Sequence, residues 1–209
     1  TMGLLESGSR FFGKTVTSVM PDSRSFEIDT PTELEMANER MRLQLLMSRV
    51  EKLPKRIELV FLDFDGVLTN NQVTLSEEGV ESVVCDRGDG MGISLLKKAG
   101  YQIIVLSTET NPVVSKRCEK LGIECYQSLG MEKHEKMLAI CDQESIHPMN
   151  TVFVGNDVND IECLKLAGCG IVPNDAHIDT LPFANIILNK LGGQGAIREL
   201  CDLLLNGQR

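Results

Sequence analysis

The stretch Leu59-Val60-Phe61-Leu62-Asp63-Phe64-Asp65-Gly66-Val67-Leu68-Thr69 constrains this chain more than any other. Four apolar residues in a row read as a buried strand. Two carboxylates two positions apart follow where that strand should end, and a glycine then lets the chain turn. On an extended backbone, residues i and i+2 point the same way. Asp63 and Asp65 therefore face one point at the carboxyl edge of a sheet, where ligands of open α/β sheets bind. Two carboxylates that close repel unless a cation lies between them or one holds a proton. The competing reading is a polar strand end followed by a turn. The apolar run before the pair and the Gly-x-x-Thr after it weigh against that.

From residue 57 onward, short apolar runs alternate with helical patterns. The spacing predicts strands near 57–62, 102–106, 123–126, 151–154, 169–172 and 185–188. It predicts helices near 91–99, 112–121, 132–142, 158–167 and 195–205. Such alternation implies an α/β fold with a doubly wound parallel sheet. Between the first strand and the first helix, the segments 72–76 and 80–84 flank Glu77-Glu78-Gly79 and predict a β-hairpin turning at the glycine. The loop Asp86-Arg87-Gly88-Asp89-Gly90 leads out of it.

Composition removes several classes of function. The net charge is −9, with no Trp and no basic run, which argues against nucleic-acid binding. No apolar stretch approaches the roughly 20 residues that span a bilayer. Seven cysteines, without a Cys-x-x-Cys, fall mostly in apolar-patterned segments and read as reduced thiols of a cytoplasmic protein. The three histidines show no ligand spacing. An acidic protein handling an anion needs local positive charge, for which Lys133, Arg87 and Arg198 are candidates.

The first signature, Asp63 to Thr69, resembles that of the haloacid-dehalogenase-like (HAD) phosphatases. The resemblance implies a HAD-like Rossmannoid fold, Asp63 as a nucleophile that forms an aspartyl-phosphate, Asp65 as general acid and base, and Mg2+ between them. Carboxylate nucleophiles split a difficult displacement into two easier steps, and hard divalent cations take oxygen ligands. Further elements follow in order. Ile103-Ile104-Val105-Leu106-Ser107-Thr108 implies that Ser107 holds a phosphoryl oxygen. Lys133, after a loop containing Gly130, matches the superfamily lysine, with Lys136 as the competing candidate. Val152-Phe153-Val154-Gly155-Asn156-Asp157-Val158-Asn159-Asp160 matches the fourth element. That element usually begins Gly-Asp, and this chain has Asn156 instead. An amide oxygen can ligate Mg2+ but brings no charge. Asp157 is then a further ligand candidate, with Asp160 behind it. The other reading is that Asn156 caps the helix expected at 158–167.

About twenty residues stand where many superfamily members insert a cap domain, and only a helix and a strand fit between 107 and 133. The chain is expected to be capless, with the hairpin as a flap. This pattern, together with Gly90-Met91-Gly92-Ile93 and the tail Gly192 to Leu205, resembles the 3-deoxy-D-manno-octulosonate 8-phosphate phosphatase group and its nonulosonate 9-phosphate relatives over about residues 55–206. The resemblance implies a small-molecule sugar-acid phosphate as substrate and a homotetramer whose subunits cover one another's sites; Thr69, Arg87, Thr108 and Glu109 are the candidate substrate contacts. The octulosonate enzymes usually carry Arg at the position of Glu109; a solvated loop residue is the alternative there. The usual tail has Arg where this chain has Gln194.

Residues 1–54 read differently. Ser25 to Asp29 predict a short strand. Thr30-Pro31-Thr32-Glu33 is a helix start with a capping box and proline at the first helical position. Leu34, Ala37, Met41 and Leu45 mark one face of that helix. Glu27-Ile28-Asp29-Thr30-Pro31 resembles the closing segment of acylneuraminate cytidylyltransferases, in which acids matching Glu27 and Asp29 bind metal. The glycine- and basic-rich loop that holds CTP in that family is absent from this sequence. Two functions emerge: a Mg-dependent phosphomonoesterase in residues 55–209, or a catalytically weak or dead tetramerisation module of a cytidylyltransferase.

Overall fold

In the computed structural model of the chain, residues 8, 14, 16, 18–21, 25 and 27–207 are described. Two compact units result, Thr1–Gln44 and Leu45–Arg209.

The first unit contributes most of helix α1 (Pro31–Val50). Its start is the expected capping box. Glu33 N donates to Thr30 Oγ1 at 3.3 Å, and Thr30 N donates back to Glu33 Oε2 at 2.8 Å. On the face marked by the apolar residues, Leu34, Met41 and Leu45 are about half exposed. The strand expected at 25–29 is absent from Ser25 and from Glu27–Asp29, and Phe26 lies outside the described residues.

The second unit is built on six parallel strands in the order β5-β4-β1-β6-β7-β8. They are β1 (Leu59–Leu62), β4 (Gln102–Leu106), β5 (Glu124–Tyr126), β6 (Thr151–Val154), β7 (Cys169–Val172) and β8 (Ile186–Ile187). The connecting helices are α2 (Arg87–Lys98), α3 (Val113–Leu121), α4 (Lys133–Gln143), α5 (Ile161–Leu166) and α6 (Ala196–Gly207). β1 is buried throughout because both sheet faces are covered. Its alternate residues serve the two sides: Val60 and Leu62 join a core with α2 and α6, Leu59 and Phe61 one with α4 and α5. Gly92 brings α2 against α6 so closely that a Cβ would lie 3.0 Å from Cys201 Sγ.

From β1 the chain winds outward through β4 and β5. It then returns to β6 on the other side of β1. This reversal of direction opens a crevice at the carboxyl ends of the central strands. Leu62 stands in register with Val105 on one side and Val154 on the other. The residues that follow all three strands therefore meet.

The hairpin comprises β2 (Thr69–Leu75) and β3 (Glu81–Cys85), paired antiparallel with a bulge between Thr69 and Val73. It turns at Gly79, whose φ is +78°. No other element lies between β1 and α2, and only α3 and β5 lie between β4 and α4, so no cap domain is inserted at either place. One boundary differs from expectation. The helix predicted at 158–167 is a 3-10 turn, Val158–Asp160, followed by the shorter α5. The cause is Asp160: its carboxylate turns back to bind the Asn156 and Asp157 amides, which tightens that turn.

Candidate active site

β1 delivers Asp63 into the crevice, 5 % exposed. Its Oδ1 accepts from Phe64 N at 2.7 Å and pairs with Lys133 Nζ at 2.7 Å. Lys133, the first residue of α4, is fully buried and also pairs with Asp160 at 2.8 Å. Lys136 instead lies over the Tyr126 ring, 3.8 Å from its centroid, so Lys133 is the lysine that reaches the carboxylates. Burial and the nearby Asp160 push the Asp63 carboxyl up, against the pull of Lys133. Burial also works against the Lys133 charge, but Asp63 and Asp160 outweigh it and raise that group. Two buried carboxylates around one ammonium leave a net negative charge, an expensive arrangement in a protein interior.

Phe64 turns into the core, and Asp65 returns to the crevice with its carboxylate 3.4 Å from the Thr69 hydroxyl. Burial, then the charge of Glu109, raise the Asp65 carboxyl. Gly66 makes the next turn at φ +73°, and a Cβ there would overlap the Asn156 carboxamide. The tail supports this loop from behind: Gly193 N donates to Val67 O at 3.0 Å. A Cβ on Gly192 or Gly193 would run into the backbone of Gly66 or Thr69.

Asn156 follows β6. Turned one way, its amide nitrogen donates to the Asp65 carbonyl oxygen at 2.8 Å and to Asp63 Oδ2 at 3.2 Å. Turned the other way, its oxygen faces the same two oxygens with no donor among the three, which only a cation makes favourable. Three converging oxygens beside an excess of buried negative charge fit a hard divalent cation. No cluster of three His, Cys, Asp or Glu side chains is found among the described residues. The reason is that two of the three oxygens here belong to a main-chain carbonyl and an amide. The capping alternative for Asn156 does not hold. Asp157 is the cap: its Oδ1 accepts from Val158 N at 2.7 Å, reciprocated by Asp160.

Ser107 follows β4, 1 % exposed, with its Oγ accepting from Glu109 N at 3.0 Å and its hydroxyl proton left to donate. Asp63, Asp65, Asn156, Asp157, Thr108 and Glu109 line a cavity of about 300 Å³. Glu109 is tied down, its Oε1 accepting from the amides of Thr110 at 2.7 Å and Asn111 at 3.1 Å. Four residues expected at the site are not on the cavity wall, and two of them, Ser107 and Lys133, are buried next to residues that are. Thr69 is fully buried behind Asp65. Arg87 is exposed at the first turn of α2, and Gln194 is exposed on the tail. Arg198 is tied to Asp202 at 3.0 Å.

The hairpin supplies the remaining wall, through Asn71, Val73, Glu81 and Val83. Asn111 Nδ2 donates to Glu81 Oε2 at 3.0 Å and ties the hairpin to the loop after β4. Asn71 and Glu81 carry no motif of their own in the sequence, and Val73 and Val83 stand out there only as apolar hairpin residues that need a covering surface. Period-2 alternation in β3 was the available signal, since it places Glu81 and Val83 on one face.

A parallel sheet with paired aspartates after its central strand, a buried lysine and an oxygen-lined cation site defines the HAD type of phosphoryl-transfer architecture. No family model matches the chain. It is 32 % identical over 158 residues to the 3-deoxy-D-manno-octulosonate 8-phosphate phosphatase of Salmonella typhi, covering 74 % of this chain and 82 % of that one. The chain belongs to this family of HAD-type phosphatases. It is also 28 % identical over 207 residues to N-acylneuraminate cytidylyltransferase B of Danio rerio, covering 98 % of this chain and 48 % of that protein. The chain thus spans about half the length of the cytidylyltransferases it matches. A HAD family hydrolase from Streptomyces avermitilis shares the fold with a TM-score of 0.70 and 38 % identity, covering 72 % of this chain and 86 % of that one. The Moraxella catarrhalis octulosonate 8-phosphate phosphatase, solved with magnesium, phosphate and the sugar acid, gives a TM-score of 0.72 at 26 % identity, covering 79 % and 92 %.

Proposed function

We propose that the protein is a Mg-dependent phosphomonoesterase acting on a phosphorylated 2-keto-3-deoxy sugar acid, a nonulosonate 9-phosphate or an octulosonate 8-phosphate. The observation that carries this is Asp63, buried against Lys133 at the end of the central strand, with Asp65 beside it in an open cavity. The Asp63 carboxylate attacks phosphorus and the ester P–O bond breaks, leaving an aspartyl-phosphate. Asp65, its carboxyl raised by burial, gives its proton to the departing alkoxide. It then takes a proton from the water that attacks phosphorus, which releases phosphate and restores Asp63. Ser107 donates to a phosphoryl oxygen, and Lys133 holds Asp63 in place. Asp63, Asn156 and the Asp65 carbonyl would hold Mg2+, which when bound supplies charge that neutralises the phosphoryl oxygens. The test is phosphate release from a panel of 8- and 9-phosphorylated keto-sugar acids, with and without Mg2+. Chelation should abolish it, and release undiminished by chelator would refute the metal requirement.

Asn156 brings no charge, so Asn156→Asp should tighten Mg2+. Calorimetric titration reads this directly, and unchanged or weaker binding would remove Asn156 from the ligand set.

A capless site open to water favours assembly, and the hairpin offers an apolar outer surface. Val84 is 62 % exposed and Val80 63 %. Val73, itself 59 % exposed, and Val83 lie on the other face and line the cavity. An isolated two-stranded hairpin is marginal in water, and closed symmetry is the common way to cover such a surface. A homotetramer of about 92 kDa follows, from four chains of 23.1 kDa. Val84→Lys should give smaller species by light scattering; a wild-type monomer with full activity would overturn the assembly.

A second reading is that the chain serves a longer protein as an assembly module. The match to the cytidylyltransferase across 98 % of the chain favours it, and residues 1–54 then correspond to the end of the transferase part. The two readings part on activity. No described helix is long and apolar enough to cross a membrane. All seven cysteines are free thiols, which suits the reducing cytoplasm.

A further inference from the structure

The cavity has one wall that neither phosphate chemistry nor a polyhydroxylated chain requires. Val73, 59 % exposed at the rim, and the half-buried Val83 pair across the hairpin, and the half-buried Val113 opens α3 beside them. Val83 and Val113 rest on the core on one side and close the cavity on the other. Asn71 stands next to this patch at the hairpin bulge, in the left-handed region at φ +60°. Its main-chain amide donates to Thr69 Oγ1, and the residue lines the exposed rim of the cavity, where its carboxamide has no hydrogen-bond partner among the described residues. Hydroxyls set against three valines would lose hydrogen bonds to water without replacement. The substrate group that belongs there is apolar, and the group beside it pairs with an amide.

A short N-acyl substituent has both properties. We infer that Asn71 with Val73, Val83 and Val113 forms a subsite for the N-acyl group of the substrate, so that an N-acylated nonulosonate 9-phosphate is preferred over its hydroxylated counterpart and over an octulosonate 8-phosphate. This rests on the phosphatase reading and selects among the substrates it leaves open. The acyl methyl lies against the valines, and the Asn71 carboxamide pairs with the acyl amide. The 3-deoxy methylene, common to all these sugar acids, is the competing occupant and would give no preference.

The test compares kcat/KM for the 9-phosphates of the N-acetyl and 5-hydroxy nonulosonates. Their ratio within one preparation does not depend on how much of the enzyme is folded. A pocket that fits an alkyl group discriminates by roughly 10- to 200-fold. The wild-type ratio should be about 10 or more, and should fall to within about threefold of unity in Val83→Ser and in Asn71→Gly, the second a substitution the positive φ accepts. A wild-type ratio at or below one, or a ratio unchanged in both variants, overturns the subsite. If no ester is cleaved, the phosphatase reading falls by itself and binding judges the subsite. Saturation-transfer NMR with free N-acetylneuraminate should show the acyl methyl most strongly saturated in wild type, and not in Val83→Ser. An unsaturated methyl in wild type overturns the inference.

Discussion

Asp63→Asn should lower turnover by at least about 10³-fold, the order lost when an essential catalytic group is removed. The substitution keeps the shape that β1 and the Phe64 amide hold in place, and takes away the charge that attacks phosphorus. Stability should move the other way. Asp63 and Asp160 both crowd Lys133 in a site closed to water. A neutral amide at 63 leaves Lys133 one full partner and removes the repulsion that raises the Asp63 carboxyl. The variant should therefore melt no lower than wild type, in keeping with active sites that trade stability for function. Phosphate release with purified protein and a thermal melt check the two halves. Near-normal turnover would remove Asp63 as nucleophile. Asp65→Asn should also be severe, because the leaving alkoxide then has no proton donor at hand.

Much of this site can be read in the sequence because it lies at strand ends. Apolar runs such as Leu59-Val60-Phe61-Leu62 and Thr151-Val152-Phe153-Val154, short and alternating with helical patterns, read as strands buried on both faces and are so, and the polar residues after them then meet at one edge. That reasoning places Asp63, Ser107 and Asn156 at one sheet edge from the sequence alone. It does not reach contacts that depend on how loops fold back. The Asp65 carbonyl facing Asn156 is a main-chain group with no residue signature. Asp160 is four residues from Asn156 and reads as one acid among several, yet it is fully buried and holds both Lys133 and the loop after β6. Arg87 follows the same logic in reverse. It is a candidate because an acidic protein that handles an anion needs local positive charge, but its segment is the first turn of α2. Asp86 caps this turn, and Arg87 faces outward. Val73, Val80, Val83 and Val84 do not alternate cleanly along the sequence because residues 76–80 connect the two strands. With the register known, Val73 and Val83 share the cavity face while Val84 lies on the other.

Lys133→Met should be the most destabilising single change in the site. The ammonium is fully buried and bonded to two carboxylates that are themselves at most 6 % exposed. Methionine fills a similar volume but leaves Asp63 and Asp160 as uncompensated charges, and breaking a buried pair from one side costs about 3–5 kcal/mol. The loss should depend on pH with a definite sign. Without Lys133, the burial and the Asp160 charge that already raise the Asp63 carboxyl are opposed only by the Phe64 amide, and the carboxyl rises further. The folded variant then binds protons more tightly than the unfolded chain, so its stability falls as pH rises from the ordinary carboxylate range through the raised folded value. The gap to wild type should be smallest near pH 5 and should widen toward pH 7.5. In wild type, Lys133 itself contributes stability that is fully present below its unfolded value and is lost only in the alkaline range, as pH rises past its raised folded value. Urea denaturation of both proteins at the two pH values, in chelator so that no cation replaces the ammonium, measures the difference. A gap that stays constant or narrows toward pH 7.5 would show that Lys133 does not hold the two carboxylates in their ionised forms, and the nucleophile would need another source of its charge.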